Sequence, residues 1–419
     1  MIKFKEWYFR LTIYYKLIPF LLVYLAISIL FAPTEFYGDE ARYVWFANNL
    51  LKGFYSPPFP DINLWNGPGY PLLISVFLFF KLPLIFIRVL NAVLLYLALL
   101  ISYKSIHVFI SERIAFLYVV LLGLYYPVFE TLPLIFTESL TWFLISLVVY
   151  LLLKNLRQNS LNFKLLLLTS ATIAYLAMVK VIFGYVIPLT IIASIFLIIF
   201  PKYRKDAKKS VVIFFFAILF CFPYLFFTYS LTGKLYYWAN SASMSLYTMS
   251  TPNINESGDW LPKAKLKLNP NHSTFMDSIS RLKPLQMDEA FKKTAIKNII
   301  NNPLKYFSNW VANVGRLLFS YPYSSTQQST SSYFTILPNM FVVVFILIAF
   351  MLCILRYKYI PPEIVIILIF ILIYLFGSSL LSSYRRMFYV TLPFWAVFIS
   401  FVFNNTISII KENKSDSNI

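Results

Sequence analysis

What most restricts this chain is a series of long apolar runs, near 15–33, 84–106, 114–130, 137–153, 163–179, 182–200, 210–230, 336–355, 362–381 and 387–405. Crossing ~30 Å of hydrocarbon takes about 20 mostly apolar residues, and lipid offers no partner to an unpaired backbone group. The chain therefore reads as an all-α integral membrane protein with ten spans. Two further stretches, 69–83 and 303–322, are apolar but shorter or interrupted by Lys, Arg, Asn and Pro. They read as interfacial or re-entrant; if both cross, the count becomes twelve. Composition agrees, with 59% hydrophobic residues, 20% aromatic and only 13% charged, where soluble domains carry about 25% charged. Cys221 and Cys353 fall inside apolar runs, which excludes a disulfide-stapled secreted fold. Two His cannot build a His-rich metal centre, and so apolar a chain is not intrinsically disordered.

Charge sets the sidedness. The 36 Lys and Arg outnumber 17 Asp and Glu, for a formal net charge of +19. Short cytoplasmic loops collect basic residues. With the N-terminal Lys3, Lys5, Arg10 and Lys16 inside and ten alternating spans, the inner side also receives Lys104, Arg113, Lys154, Arg157, Lys164, Lys202, Arg204, Lys205, Lys208, Lys209, Arg356, Lys358, Lys411 and Lys414. Counting 69–83 alone as an extra crossing would throw the KYRKDAKK run outside. The basic balance is thus a topology signal, and no nucleic-acid partner is needed to explain it. The first run is followed by Ala32-Pro33-Thr34 and not by a small-residue cleavage site, so it reads as a retained span. The expected location is the cytoplasmic or inner membrane.

Two outer segments are long. Residues 34–83 follow the first span, within an N-terminal membrane module of 1–230. Residues 231–335 precede the C-terminal spans of 336–419. The second segment is loop-like near 250–285, then helical through MDEAFKKTAIKNII and an amphipathic stretch with Leu304, Phe307, Trp310, Val311, Val314, Leu317 and Leu318 at helical spacing. Irregular structure on one face is where chemistry is sought.

The first outer loop carries Gly38-Asp39-Glu40-Ala41-Arg42-Tyr43. Adjacent carboxylates beside a membrane suggest a hydrated cleft with a base or a cation-holding role. Equally, the two acids suit the positive start of a following helix, ARYVWFANNLL. The two readings are compatible.

Gly38 to Tyr43, followed by Asn66-Gly67-Pro68-Gly69-Tyr70-Pro71 opening an apolar helix, resembles the first outer loop of polytopic GT-C glycosyltransferases. The branch of protein O-mannosyltransferases and bacterial aminoarabinose-type transferases is the most similar. Ile87-Arg88-Val89-Leu90-Asn91-Ala92, Tyr126-Pro127 with Thr137-Glu138-Ser139-Leu140, Asn302-Pro303-Leu304-Lys305-Tyr306 and Arg386-Met387-Phe388-Tyr389-Val390-Thr391-Leu392-Pro393 follow in the family's order. The resemblance covers most of the chain. It implies a GT-C-like fold and inverting transfer of a sugar from a polyprenyl (undecaprenyl or dolichyl) phosphate carrier to a lipid, protein or glycan acceptor at the outer face. It makes Asp39 the general base. Glu40 would orient the acceptor, tune Asp39 or hold a cation, and Arg42, Tyr43, Tyr70 and Glu138 would shape the pocket. A divalent cation is the one cofactor left open, with Asp39 and Glu40 as its holders.

A departing lipid phosphate needs cations. Outside the two long loops, the outward basic residues are Arg88, Lys180, Arg385 and Arg386. Lys180 either binds phosphate or snorkels to the interface; as Lys and not Arg, it lacks a bidentate fork. The Arg385-Arg386 doublet runs against the positive-inside trend and reads as phosphate-binding. His107 reads as a cytoplasmic loop residue and His272 as a lone solvated one. Gly67 and Gly69 make a turn and not a phosphate cradle. Two rivals stand beside this reading: a glycan polymerase or ligase using a diphosphate-linked oligosaccharide, and a lipid or solute transporter. Transporters place their polar sites near the midplane between pseudo-symmetric halves, whereas here the acids gather at one face.

Overall fold

A computed structural model describes residues 12–320, 329–355 and 360–415, with side chains to residue 405. Lys3, Lys5, Arg10, Arg356 and Lys358, and the side chains of Lys411 and Lys414, lie outside the described residues. Among the described residues there are helices and no strands. The membrane part is built from α1 (Ile13–Leu30), α2 (Glu40–Leu51), α3 (Gly69–Phe79), α4 (Ile85–His107), α5 (Glu112–Gly123), α6 (Glu138–Arg157), α7 (Phe163–Val179), α8 (Ile182–Leu197) and α9 (Arg204–Thr232). A helical layer follows, α10 (Ala242–Met249), α11 (Lys263–Leu268), α12 (Pro270–Ile279), α13 (Pro284–Asn301) and α14 (Pro303–Phe319). The chain closes with α15 (Tyr333–Leu355), α16 (Pro362–Ser379), the short α17 (Arg385–Tyr389) and α18 (Leu392–Ser415).

Every predicted run is helical, but not every helix is full length. Among the described residues six are long and apolar enough to cross a membrane: α1, α4, α6, α9, α15 and α16. α7 and α8 have 17 and 16 residues. The run at 114–130 shortens to the 12 residues of α5, because Pro127 opens a separate 3-10 turn at Tyr126–Val128. The segment at 69–83 yields 11 helical residues, about half of a crossing.

α6 packs along α4, α7 and α16 and is the most buried of the span-length helices. Its 20 residues separate Glu138 from Arg157 by ~30 Å, so the bundle has two distinct ends. At the Arg157 end the basic segments meet. Arg157 pairs with Glu363 at 3.8 Å and covers the Phe109 ring, Lys205 donates to Asn159 at 3.0 Å, and Lys104 covers Tyr14. The buried Lys209 donates to the carbonyls of Asn155, Leu156 and Gln158, which end α6. An ammonium is the right group there, since the last helical carbonyls lack intrahelical donors. His107 stacks on Tyr103 and bonds the Ile110 carbonyl at the same end.

The helical layer sits at the Glu138 end with its own small core of Met244, Tyr247, Leu266, Met276, Ile279, Phe291 and Ala295. His272 belongs to it. Its sequence reading as a solvated loop residue is corrected: the ring is buried, with Nε2 3.0 Å from Glu256 and Nδ1 2.8 Å from the Tyr247 hydroxyl. Burial would push the Glu256 carboxyl up, yet hydrogen bonds from His272, Thr251 and Asn271 hold it well below the usual carboxylate range.

Lys209→Met strands three helix-terminal carbonyls in an apolar setting. Thermal unfolding of the detergent-solubilised protein is expected to show a loss of about 1–3 kcal/mol, seen as a lowered Tm.

Candidate active site

Asp39 stands at the N-cap of α2 but makes no side-chain cap bond. Its carboxylate faces outward to two guanidinium groups instead. Gly38, at φ +59°, supplies the left-handed turn that presents it, and a Cβ there would lie 3.1 Å from the Phe136 ring. Arg42, one turn along α2, reaches Oδ1 at 3.3 Å, and Arg386 reaches Oδ2 at 3.3 Å from 347 residues away. Arg386 also lies 3.7 Å from Glu138, which in turn takes Lys180 at 3.6 Å. The result is an alternating chain, Arg42, Asp39, Arg386, Glu138, Lys180, half-buried at Asp39, Arg386 and Lys180 and buried at Glu138. Burial pulls the Lys180 ammonium below its ordinary value, and Glu138 opposes that pull. Three cations against two carboxylates leave one positive charge in excess.

Each member is held by a different device. Asn66 accepts from Arg42 at 3.4 Å and donates to the Tyr43 hydroxyl at 3.3 Å, while Tyr55 clamps the Asn66 carbonyl at 2.6 Å. Tyr43 meets Tyr70 edge-on, ring centroids 5.1 Å apart. Burial, then Asp39 and Glu138, push the Tyr43 phenol up, so it stays neutral and accepts from Asn66. The Gly67-Pro68-Gly69 turn presses against the end of α7: a Cβ on Gly67 would fall 2.1 Å from the Met178 carbonyl, and one on Gly69 2.7 Å from the Val179 nitrogen. The glycines are needed for close approach, which sets the first loop beside Lys180.

The arginine doublet is fixed from the opposite side. The loop 379–383 before α17 is gripped by α14: Asn313 donates to the carbonyls of Ser379 and Leu381 at 2.7 and 2.6 Å and accepts from the Ser383 amide at 3.0 Å. Ser382 donates to Ser245 and Gly258 in the helical layer. The two arginines then diverge. Arg386 enters the charged chain, whereas Arg385 pairs with Glu130 and Thr335. The doublet is split, with different partners for its two members, as successive residues at the start of a helix point about 100° apart. Glu130, in the loop before α6, is the site-proximal acid that sequence reasoning missed; its one available signal was its position one loop away from the Thr137-Glu138 motif.

Glu40 and Arg88 do not join the chain. Glu40 is 0% exposed; Oε1 accepts from the Ile135 amide at 2.7 Å and from Arg88 at 3.4 Å, and Oε2 from the Tyr37 amide at 2.7 Å. Arg88 spends a further donor on the Pro33 carbonyl at 3.1 Å. This staple fastens the first loop to α4 and to the loop before α6. The expectation that Glu40 handles acceptor or cation gives way to a structural pairing with Arg88, since both Glu40 oxygens are taken and desolvated, and two of the three Arg88 nitrogens are spent on Glu40 and the Pro33 carbonyl. A cation held by Asp39 and Glu40 does not fit either: both Asp39 oxygens face guanidinium groups, and Glu40 points into the protein. Among the described residues no three His, Cys, Asp or Glu are gathered to hold a metal ion.

No family model matches the sequence, and no curated protein matches it at a significant level. Solved structures match it in fold. The oligosaccharyltransferase AglB from Archaeoglobus fulgidus, solved with an inhibitory peptide and a dolichol-phosphate, aligns with 96% of this chain at a TM-score of 0.50 and 14% identity. The apo form of the Archaeoglobus fulgidus oligosaccharyltransferase gives 0.53 at 13% identity over the same share. ArnT from Cupriavidus metallidurans, bound to undecaprenyl phosphate, gives 0.45 at 12% identity, with 93% of this chain and 78% of that one covered. The chain spans about half, 52%, of the oligosaccharyltransferase. At these identities the likeness is one of fold. The chain shares the all-helical fold of the oligosaccharyltransferase structures it aligns with.

Glu40→Ala removes one partner of a buried pair and leaves Arg88 uncompensated. A loss of about 3–5 kcal/mol is expected in detergent unfolding, with poor recovery from membranes; an unchanged Tm would remove Glu40 as the staple.

Proposed function

We propose that this protein is an inverting glycosyltransferase that moves a sugar from a polyprenyl phosphate carrier to an acceptor hydroxyl or amine at the outer face of the membrane. The observation that supports this above all is the 3.3 Å meeting of Asp39, from the first loop, with Arg386, from the C-terminal end. A carboxylate and a cation, both partly exposed over the Lys180–Glu138 pair, match what the reaction asks for: a proton acceptor beside an anion site. The Archaeoglobus fulgidus oligosaccharyltransferase holds a dolichol-phosphate together with an inhibitory peptide on the same fold, which supports a lipid phosphate as one ligand here.

In the proposed reaction the carrier phosphate takes Arg386 and Lys180, drawing Arg386 from Asp39. The acceptor attacks the anomeric carbon opposite the phosphate and passes its proton to an Asp39 oxygen. The bond from that carbon to the phosphate oxygen breaks, and its electron pair leaves with the polyprenyl phosphate. Glu138 keeps both cations in place, and Arg42 and Tyr43 line the acceptor side. Arg385, held by Glu130 and Thr335, fixes the approach of α17. A transporter reading is less well supported, because the charges lie at one end of the bundle and not at mid-depth.

The test is transfer from radiolabelled polyprenyl phosphate sugars by the purified protein, with Asp39→Asn beside the wild type. The variant should bind donor and lose about 10²–10⁴-fold in turnover. Undiminished transfer would remove Asp39 as base, and donor exchange across the membrane without transfer would favour transport.

A further inference from the structure

α14 turns polar side chains inward, beside Ala312 and Leu317, and apolar ones outward. Asn309, Asn313 and Arg316 are buried, while Leu304, Phe307 and Val311 stand 85, 59 and 53% exposed. Positions 304, 307 and 311 advance by three and four, so they form one stripe of α14. Ile296 and Ile300, at the end of the preceding α13, are exposed as well, at 43 and 71%. The inward face is fully used. Asn309 donates to the carbonyls of Met249 and Thr251, both at 3.0 Å. Trp310 donates to the Ser379 hydroxyl at 3.0 Å and Tyr306 to the Leu380 carbonyl at 2.9 Å, beside the Asn313 bonds to the same loop.

Two observations indicate what covers the stripe. α14 packs on α15, a span-length helix whose Phe334, Leu337 and Phe341 are themselves exposed, so the stripe continues a lipid-facing surface. Lys292, Lys293 and Lys297 are exposed on α13 beside it, as anionic headgroups would favour. We propose that the stripe of α14, with the exposed end of α13, is seated in the lipid of the leaflet at the active-site end, and that this seat holds loop 379–383, and with it Arg386, at headgroup level. The seat is independent of which group the site transfers. Removing so much apolar surface from water gives α14 a fixed height, and the hydrogen bonds of its inner face pass that height to the arginine loop.

The test is spin labelling in vesicles of phosphatidylethanolamine and phosphatidylglycerol. Leu304→Cys, Phe307→Cys and Val311→Cys are made with Cys221 and Cys353 replaced by Ser, and exposed Asp277→Cys serves as the aqueous reference. The ratio of oxygen to nickel-chelate collisions should rise several-fold at the three stripe positions over the reference. Labels that meet the nickel chelate freely, or that meet neither reagent because a protein or a second copy covers them, overturn the lipid seat. For the coupling, a label at Leu380→Cys should become more mobile in vesicles when Phe307→Glu is added, with the detergent Tm unchanged. An unmoved label spectrum overturns the coupling. Both readouts are independent of sugar transfer.

Discussion

Arg386 is shared between two carboxylates that reach it from different parts of the chain, and that end of the bundle is organised around the sharing. Asp39 rides on the first loop, Glu138 on the start of α6, and Arg386 on a five-residue helix near the C-terminus. Without the guanidinium, two acids would face each other in partly desolvated surroundings. Without the acids, three cations would. Such chains add little net stability, because desolvation offsets much of the attraction. Such chains can rearrange, and in the proposed reaction an incoming anion replaces one carboxylate at Arg386 at small net expense.

The surroundings are rigid where the chain of charges is adaptable. Glu40 is spent wholly on backbone amides and Arg88, fastening the first loop to α4. The Gly67-Pro68-Gly69 turn admits no side chain against Met178 and Val179. Asn313 satisfies three backbone groups of loop 379–383. Each is a closely packed, buried arrangement, which is how the charged groups are kept within reach of one another.

Much of this was legible in the sequence. The apolar runs gave the helices and the basic loops gave the two ends of the bundle, since the period of 3.6 and the exclusion of charge from lipid act locally along the chain. Asp39, Arg386, Glu138 and Lys180 were legible as candidates because charge beside a membrane is conspicuous. Their division of labour was not. Asp39 and Glu40 look alike as neighbours, yet one faces the cleft and the other lies beneath it, because adjacent residues on a helix start point in different directions. The Arg385-Arg386 doublet splits for the same reason. Glu130 gave no signal strong enough to single it out, since its role depends on an arginine 255 residues distant. His272 looked solvated because nothing local records that Tyr247 and Glu256 close over it.

The sequence by itself determined that this chain lives in a bilayer, that it is helical, and that its polar chemistry is gathered at one end. These follow from hydration and backbone hydrogen bonding, which each segment meets alone. Only the tertiary structure decided which of the charged residues face the cleft and which staple it together. That choice depends on the direction of each side chain and on partners hundreds of residues away, and no local pattern encodes either.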